Sequence, residues 1–195
     1  MILVVGLGNP GPKYARTRHN VGFLVLDALV ARSGAEPVTA FRPRFEGQYG
    51  ELELSGARVG LLKPETFMNA SGRSARAACA FFKVEPEALL VVHDELDIPF
   101  GELRLKSGGG DGGHRGLRSI TEELAGPNYG RLRVGIGRPP ADFQGDVADF
   151  VLQGFPLEAG NELERVLVSA SEVVKAVIVD GLSQTMNRTN QRTVR

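Results

Sequence analysis

The residues best suited to chemistry are Asn9, in Gly6-Leu7-Gly8-Asn9-Pro10-Gly11, His19 on the same stretch, and Asp94, in His93-Asp94-Glu95-Leu96-Asp97. A fourth candidate is the glycine-rich run Ser107 to Gly116 with Arg104, Lys106, Arg115 and Arg118 around it. No serine sits in G-x-S-x-G and no H-E-x-x-H occurs, so the simplest hydrolytic scheme is a water activated by an imidazole. A carboxylate accepting the Nδ1 proton would then fix the tautomer and stabilise the charge formed when Nε2 takes a proton. Asn9 precedes Pro10, which confines it to extended backbone and aims its carboxamide. His19 stands just outside a predicted helix start, whose partial positive charge disfavours imidazolium. Position alone would make it a capping or surface histidine; the aimed carboxamide on the same loop makes the pair a site.

These groups need elements to hold them. Ile2 to Val5 reads as a buried strand, followed by a loop stiffened by Pro10 and Pro12 and a helix over Val21 to Ser33, with Asn20 as N-cap and Gly34 as stop. The match to G-x-G-x-x-G is discounted as a dinucleotide site, because the prolines remove amides that a pyrophosphate would need and the helix starts too late. Phe41 to Leu54 and Arg58 to Leu62 flank Ser55-Gly56-Ala57 as a hairpin, and Lys63 to Asn69 is a loop. Asn69 or Ser71 caps a helix bearing Ala75, Ala78, Cys79 and Phe82. Ala88 to Val92 is a second apolar strand, directly followed by Asp94, which would approach His19 if the two strands are neighbours. The bland alternatives for Asp94, Glu95 and Asp97 are a solvated turn or a Mg²⁺ site, the latter lacking a Walker-type loop.

Glu102 to Lys106 and Arg131 to Ile136 alternate as strands, the second placing Arg131 and Arg133 on one face. The glycine run between them opens a helix containing Leu117, Ile120 and Leu124, an arrangement that suits a phosphate better than a hinge. Pro156 to Asp180 is a long amphipathic helix ended by Gly181, and Ser183 caps a final short one. Strands interleaved with helices, two of them wholly apolar, indicate one α/β domain over residues 1–195, a mixed central sheet flanked by helices on both faces.

With 195 residues and 42% apolar content the chain fits one packed domain. Its net charge is zero, which argues against bulk attraction to nucleic acid. The charge is uneven, however: residues 11–45 hold six Lys/Arg against two acids and residues 101–140 hold seven against four, so two basic regions could share a face. The single cysteine, Cys79, falls in a helical apolar pattern and reads as core. No run reaches membrane-spanning length and no signal segment precedes the first strand, so the expected location is the cytoplasm.

Taken together, Gly6 to Gly11, Tyr14, Thr17-Arg18-His19-Asn20, Thr66-Phe67-Met68-Asn69-Ala70-Ser71-Gly72, His93 to Asp97, Gly112-Gly113-His114 and Arg131 to Gly137 resemble bacterial peptidyl-tRNA hydrolase, in order over nearly the whole chain. The resemblance implies a phosphorylase/hydrolase-like α/β fold and a monomeric esterase without cofactor, metal, membrane or obligate protein partner. It would cleave the ester between a peptide and the 3′-terminal ribose of tRNA, recycling tRNAs dropped from ribosomes. It makes His19 the general base, Asp94 its orienting carboxylate, and Asn9 and Asn69 contacts to the peptide main chain. Tyr14 and Phe67 would line the pocket for the terminal nucleotide, Lys106 and Arg133 would hold acceptor-stem phosphate, and His114 and Arg115 would face the substrate. The family's Gly-His-Asn-Gly stands here as Gly113-His114-Arg115-Gly116, and a guanidinium donates without accepting, so the asparagine role is not carried onto Arg115. Two other classes touch parts of the pattern: a NAD-dependent oxidoreductase through the glycine spacing, and a non-catalytic RNA-binding module through the basic loop.

Overall fold

The first apolar run, Ile2–Gly6 (β1), is extended and buried to both sides, as a strand without polar alternation must be. The computed structural model describes residues 1–32 and 37–191, which continue as α1 (Val21–Arg32), β2 (Pro37–Arg44), β3 (Gly47–Leu54), β4 (Ala57–Pro64), α2 (Ser71–Phe82) and β5 (Leu89–Glu95). Then come β6 (Leu103–Ser107), α3 (Arg115–Glu123), β7 (Gly130–Gly135), α4 (Val147–Val151), α5 (Gly160–Asp180) and α6 (Leu182–Gln191). The strands form one sheet in the order β2-β3-β4-β1-β5-β7-β6. Its centre is parallel, β1 pairing with both β4 and β5 and β5 with β7, and both edges are antiparallel. The expected mixed α/β sheet is therefore present, and the two apolar strands are neighbours.

Alternate residues of each central strand feed opposite cores. Val4, Leu90 and Val92 pack with Val25 and Leu29 of α1 and with the α5 stripe Leu163, Val166, Leu167, Ala170, Val174, Val177 and Ile178. That stripe recurs every three or four residues, one face of a helix. Leu3, Val5, Leu89 and Val91 pack on the other side with Ala75 and Ala78 of α2 and Leu117 and Ile120 of α3. Each fully buried Leu or Val contributes about 1.5–3 kcal/mol, so the layers hold the strand ends in register. The outer strand β6 is closed by α6, whose Asn190 accepts from Leu105 N–H and donates to its carbonyl, both at 2.9 Å. That covers an edge otherwise open to pairing. Among the described residues no helix is long and apolar enough to cross a membrane.

Several local expectations need correction. β4 continues through Lys63 and Pro64 because it pairs with β3 along its length, and β5 continues through His93, Asp94 and Glu95 because β7 lies beside it, Glu95 opposite Gly135. A second hairpin joins β2 to β3 through Phe45 and Glu46, both with positive φ although neither is glycine. Neither Asn69 nor Ser71 caps α2; the Ser71 hydroxyl donates back to the Met68 carbonyl at 2.9 Å. Ser183 lies inside α6, and α4 is an additional short helix. Ser33 and Gly34, the expected end and stop of α1, lie outside the described residues.

One glycine sets how closely α1 approaches the sheet. A Cβ on Gly22 would stand 2.4 Å from the Leu7 nitrogen and 2.5 Å from the Val92 oxygen, both backbone atoms that cannot yield. Only glycine lets the helix start rest on β1 and β5, which brings the residues just before it over the carboxyl ends of both strands.

Candidate active site

The carboxyl end of β5 carries Asp94, buried at 4% exposure, and the turn preceding α1 carries His19 beside it. His19 Nδ1 lies 2.9 and 3.0 Å from the two Asp94 oxygens. A carboxylate only accepts, so Nδ1 carries the proton, and in the neutral ring Nε2 keeps its lone pair. Among the described residues that nitrogen has no partner, and His19 lines a cleft of about 640 Å³. Burial alone would push the Asp94 carboxyl up; the attraction of His19 and His114 and their hydrogen bonds hold it well below the usual range. It is an anion fixed beside an imidazole, the arrangement of a general base and its orienting group.

His114 approaches from the other side, its Nε2 2.9 Å from Asp94 Oδ1 and its ring centroid 5.0 Å from that of His19. Its Nδ1 accepts from the amides of Gly116 and Leu117 at 3.2 and 3.4 Å, so His114 is the N-cap of α3. The amides of Gly116 and Leu117 are thus taken up internally and are not available to a phosphate. The run itself is pinned: the Arg131 guanidinium donates to the carbonyls of Gly109 and Gly110, both at 2.6 Å. Arg131 is 2% exposed and belongs to this support, whereas Arg133, on the same face of β7, is partly exposed.

Asn9 is held by a device that local sequence reasoning missed. Asn20 was expected to cap α1, yet its Oδ1 accepts the Asn9 N–H at 2.8 Å and its Nδ2 donates to the Asn9 carbonyl at 2.9 Å. Both contacts are buried and fix the Asn9 backbone. The Asn9 side-chain oxygen accepts the Met68 N–H at 2.8 Å, which leaves Nδ2 as its available group on the cleft. Met68 N–H is turned to it by Phe67, whose φ of 57° and ψ of 159° are costly for a residue with a Cβ. Phe67 is 55% exposed at the cleft, where Asn69 and Arg115 also lie.

Another wall comes from α4, with Val147, Ala148 and Val151, and from Leu152 just after it. Sequence reading passed over it, although its capping box, Asp146 with Asp149, is a recognisable start signal. Arg18 ties it to the histidine: its guanidinium donates to the Phe150 carbonyl at 3.2 Å and lies 4.2 Å from the Phe150 ring centroid. A second groove, about 540 Å³, brings Lys106 and Arg133 together with Arg104 and Asn190. Arg133 pairs with Glu95 at 3.0 Å and Arg104 with Glu102 at 2.7 Å, while Lys106 has no ion pair among the described residues. Glu95 also lines the first cleft, so its ion pair with Arg133 links the two grooves. Tyr14 is partly exposed and does not line the cleft that holds His19.

His19, Asp94 and His114 present three ligand atoms within 4.8 Å of one another. Two histidines and a carboxylate could hold a borderline cation such as Zn²⁺. The nitrogen-to-oxygen separations of 2.9 Å are those of hydrogen bonds, so a cation would first have to displace both imidazole protons. The geometry fits proton transfer.

Residues 3–195 match the family Peptidyl-tRNA hydrolase. The chain belongs to the peptidyl-tRNA hydrolase family. It is 52% identical over 192 residues to the peptidyl-tRNA hydrolase of Sorangium cellulosum, covering 98% of this chain and 85% of that one. With that of Citrifermentans bemidjiense it shares 50% over 190 residues, covering 97% and 98%. The crystal structure of peptidyl-tRNA hydrolase from Acinetobacter baumannii superposes with a TM-score of 0.86 at 40% identity, covering 97% of this chain and 94% of that one. As a member of the peptidyl-tRNA hydrolases the protein is a carboxylic-ester hydrolase, and its cleft holds the hydrogen-bonded His19–Asp94 pair.

Proposed function

We propose that the cleft hydrolyses the ester between an N-blocked aminoacyl or peptidyl group and the 3′-terminal ribose of tRNA, with His19 activating water and no metal taking part. The observation that carries this is the proton arrangement: Asp94 holds the Nδ1 proton of His19, leaving Nε2 free on the cleft. Water gives a proton to Nε2 as it adds to the ester carbonyl, and the imidazolium is stabilised by the carboxylate anchored beside it. Collapse of the tetrahedral intermediate then returns the proton to the ribose oxygen as it leaves.

Asn9 Nδ2 is a donor suited to the carbonyl of the blocking acyl group. A free α-ammonium group offers only donors at that place and would leave the Asn9 donor unmatched, which would favour acylated over free aminoacyl-tRNA. Asn69 and Arg115 provide further polar contacts at the cleft, and Phe67 provides a stacking surface for the terminal base, worth about 1–3 kcal/mol. Tyr14, on the outer loop, would meet a portion of the tRNA lying beyond the cleft. Lys106 and Arg133 would hold acceptor-stem phosphate, giving affinity without reading sequence. In this reading the protein acts as a monomer in the cytoplasm on tRNAs released with their peptides.

The test is cleavage of N-acetyl-aminoacyl-tRNA beside free aminoacyl-tRNA, with and without chelator, by the unmutated protein and by His19→Ala. Chelator-resistant cleavage of the acetylated substrate alone, lost in the variant, is expected. Activity abolished by chelator and restored by a divalent ion would overturn the metal-free scheme.

A further inference from the structure

We propose that His114 is a positioning residue for the reaction, holding the Asp94 carboxylate from the side opposite His19. The inference rests on the hydrolytic reading above and goes beyond it by assigning His114 a role inside the protein in place of a contact to tRNA. A helix N-cap needs a single acceptor, for which Ser, Asp or Asn serve well. His114 supplies that acceptor with Nδ1, toward Gly116 and Leu117, and its second nitrogen reaches Asp94 Oδ1 at 2.9 Å. The two contacts are chemically linked. Amide N–H groups only donate, so Nδ1 must be the unprotonated nitrogen, and the proton is forced onto Nε2, where the carboxylate accepts it.

The start of α3 thereby sets the tautomer of His114, and the tautomer aims a donor at the oxygen that also accepts from His19 Nδ1. Asp94 is left without rotational freedom about its carboxylate. The back of this arrangement is closed by His93, whose ring meets that of His114 edge to face at 5.1 Å. His93 donates from Nδ1 to the Asp94 backbone carbonyl at 2.7 Å, so its remaining nitrogen is a buried lone pair. Burial, then repulsion from His114, pushes this imidazole down to about 3, and no competing cation forms behind the carboxylate.

Two substitutions separate the roles. His114→Asn keeps an oxygen at capping distance but is too short to reach Asp94; His114→Gln reaches Asp94 with an amide donor but caps poorly. We expect His114→Asn to keep its Tm within about 2–4 °C of the unmutated protein and to lose about 10- to 100-fold in kcat, the effect of one hydrogen bond to a buried charge. KM should stay unchanged, and His114→Gln should recover part of kcat despite a lower Tm. Long-range ¹H–¹⁵N spectra of the unmutated protein should show His114 protonated on Nε2 and His19 on Nδ1, and the His19 Nδ1 proton should exchange faster in His114→Asn. Turnover within about twofold of the unmutated protein in His114→Asn would overturn the proposal. So would a rise in KM at constant kcat, which marks a substrate contact, or a His114 proton on Nδ1. The spectra need no substrate, so a His114 proton on Nδ1 would overturn this proposal even where the hydrolytic reading fails.

Discussion

Replacing Asp94 by Asn tests the base most directly, because it changes one atom and one charge in a filled site. The side chain receives His19 Nδ1 at 2.9 and 3.0 Å and His114 Nε2 at 2.9 Å, and both donors converge on Oδ1. If the asparagine oxygen takes the Oδ1 position, its NH₂ faces His19 across about 3.0 Å, two donors in opposition. The low-energy escape is for His19 to move its proton from Nδ1 to Nε2 and accept from the amide. That puts a proton where the lone pair was needed, and the charge that stabilises the imidazolium is gone as well. The whole general-base contribution is then at stake, about 10²- to 10⁴-fold in kcat, or about 3–5 kcal/mol at about 1.36 kcal/mol per decade. Affinity for a non-hydrolysable acyl-tRNA should not change, since Asp94 is buried behind the histidine. Single-turnover cleavage of N-acetyl-aminoacyl-tRNA and filter binding separate the two quantities. Turnover equal to that of the unmutated protein, or a loss confined to binding, would refute the reasoning.

Further outcomes follow from the supports of the site. Asn20→Ala removes both contacts to the Asn9 backbone and leaves a buried donor and acceptor unpaired, so stability should fall by about 2–4 kcal/mol; an unchanged urea midpoint would mean that water replaces the clamp. His93 titrates at about 3 when folded and near 6.5 when unfolded, so the unfolded chain binds more protons between these values. Its contribution is therefore full above pH 6.5 and declines on acidification by up to about 1.4 kcal/mol per pH unit. His93→Phe should flatten that slope between pH 4 and 6.5 in denaturant titrations, and an identical slope would remove His93 as its source. Arg133→Ala should weaken tRNA binding and reduce the salt dependence by roughly one counterion, whereas an unchanged slope would place the phosphate contact elsewhere.

The framework of the site was legible because it rests on strong local signals. Ile2 to Val5 and Ala88 to Val92 could only be buried strands, and a ligand beyond their carboxyl ends follows from the way parallel sheets leave room there. That β1 and β5 are adjacent was not legible, since pairing depends on chain returning from elsewhere. The same limit explains β5 running on through His93, Asp94 and Glu95: these polar residues become strand because β7 offers them a partner. The turn at Phe45 and Glu46 carries no glycine or asparagine to announce its positive φ values.

Side-chain assignments failed where two roles share one sequence signal. Asn20 before a helix satisfies the rule for a cap, and the rule is silent about a backbone eleven residues earlier that accepts and donates to the same amide. Arg131 and Arg133 alternate onto one face, as predicted, but only the first lies under the glycine run, whose carbonyls take its protons. A buried guanidinium needs fixed acceptors and a mobile loop cannot provide them, so the glycines there are held in place by the protein. The order imposed on that run ends at His114, which reaches Asp94 only because the loop delivers the start of α3 to the end of β5. The glycine stretch is thus part of the support for the His19–Asp94 pair, and under the proposed mechanism substitutions at Arg131 should lower kcat through His114 with KM unchanged.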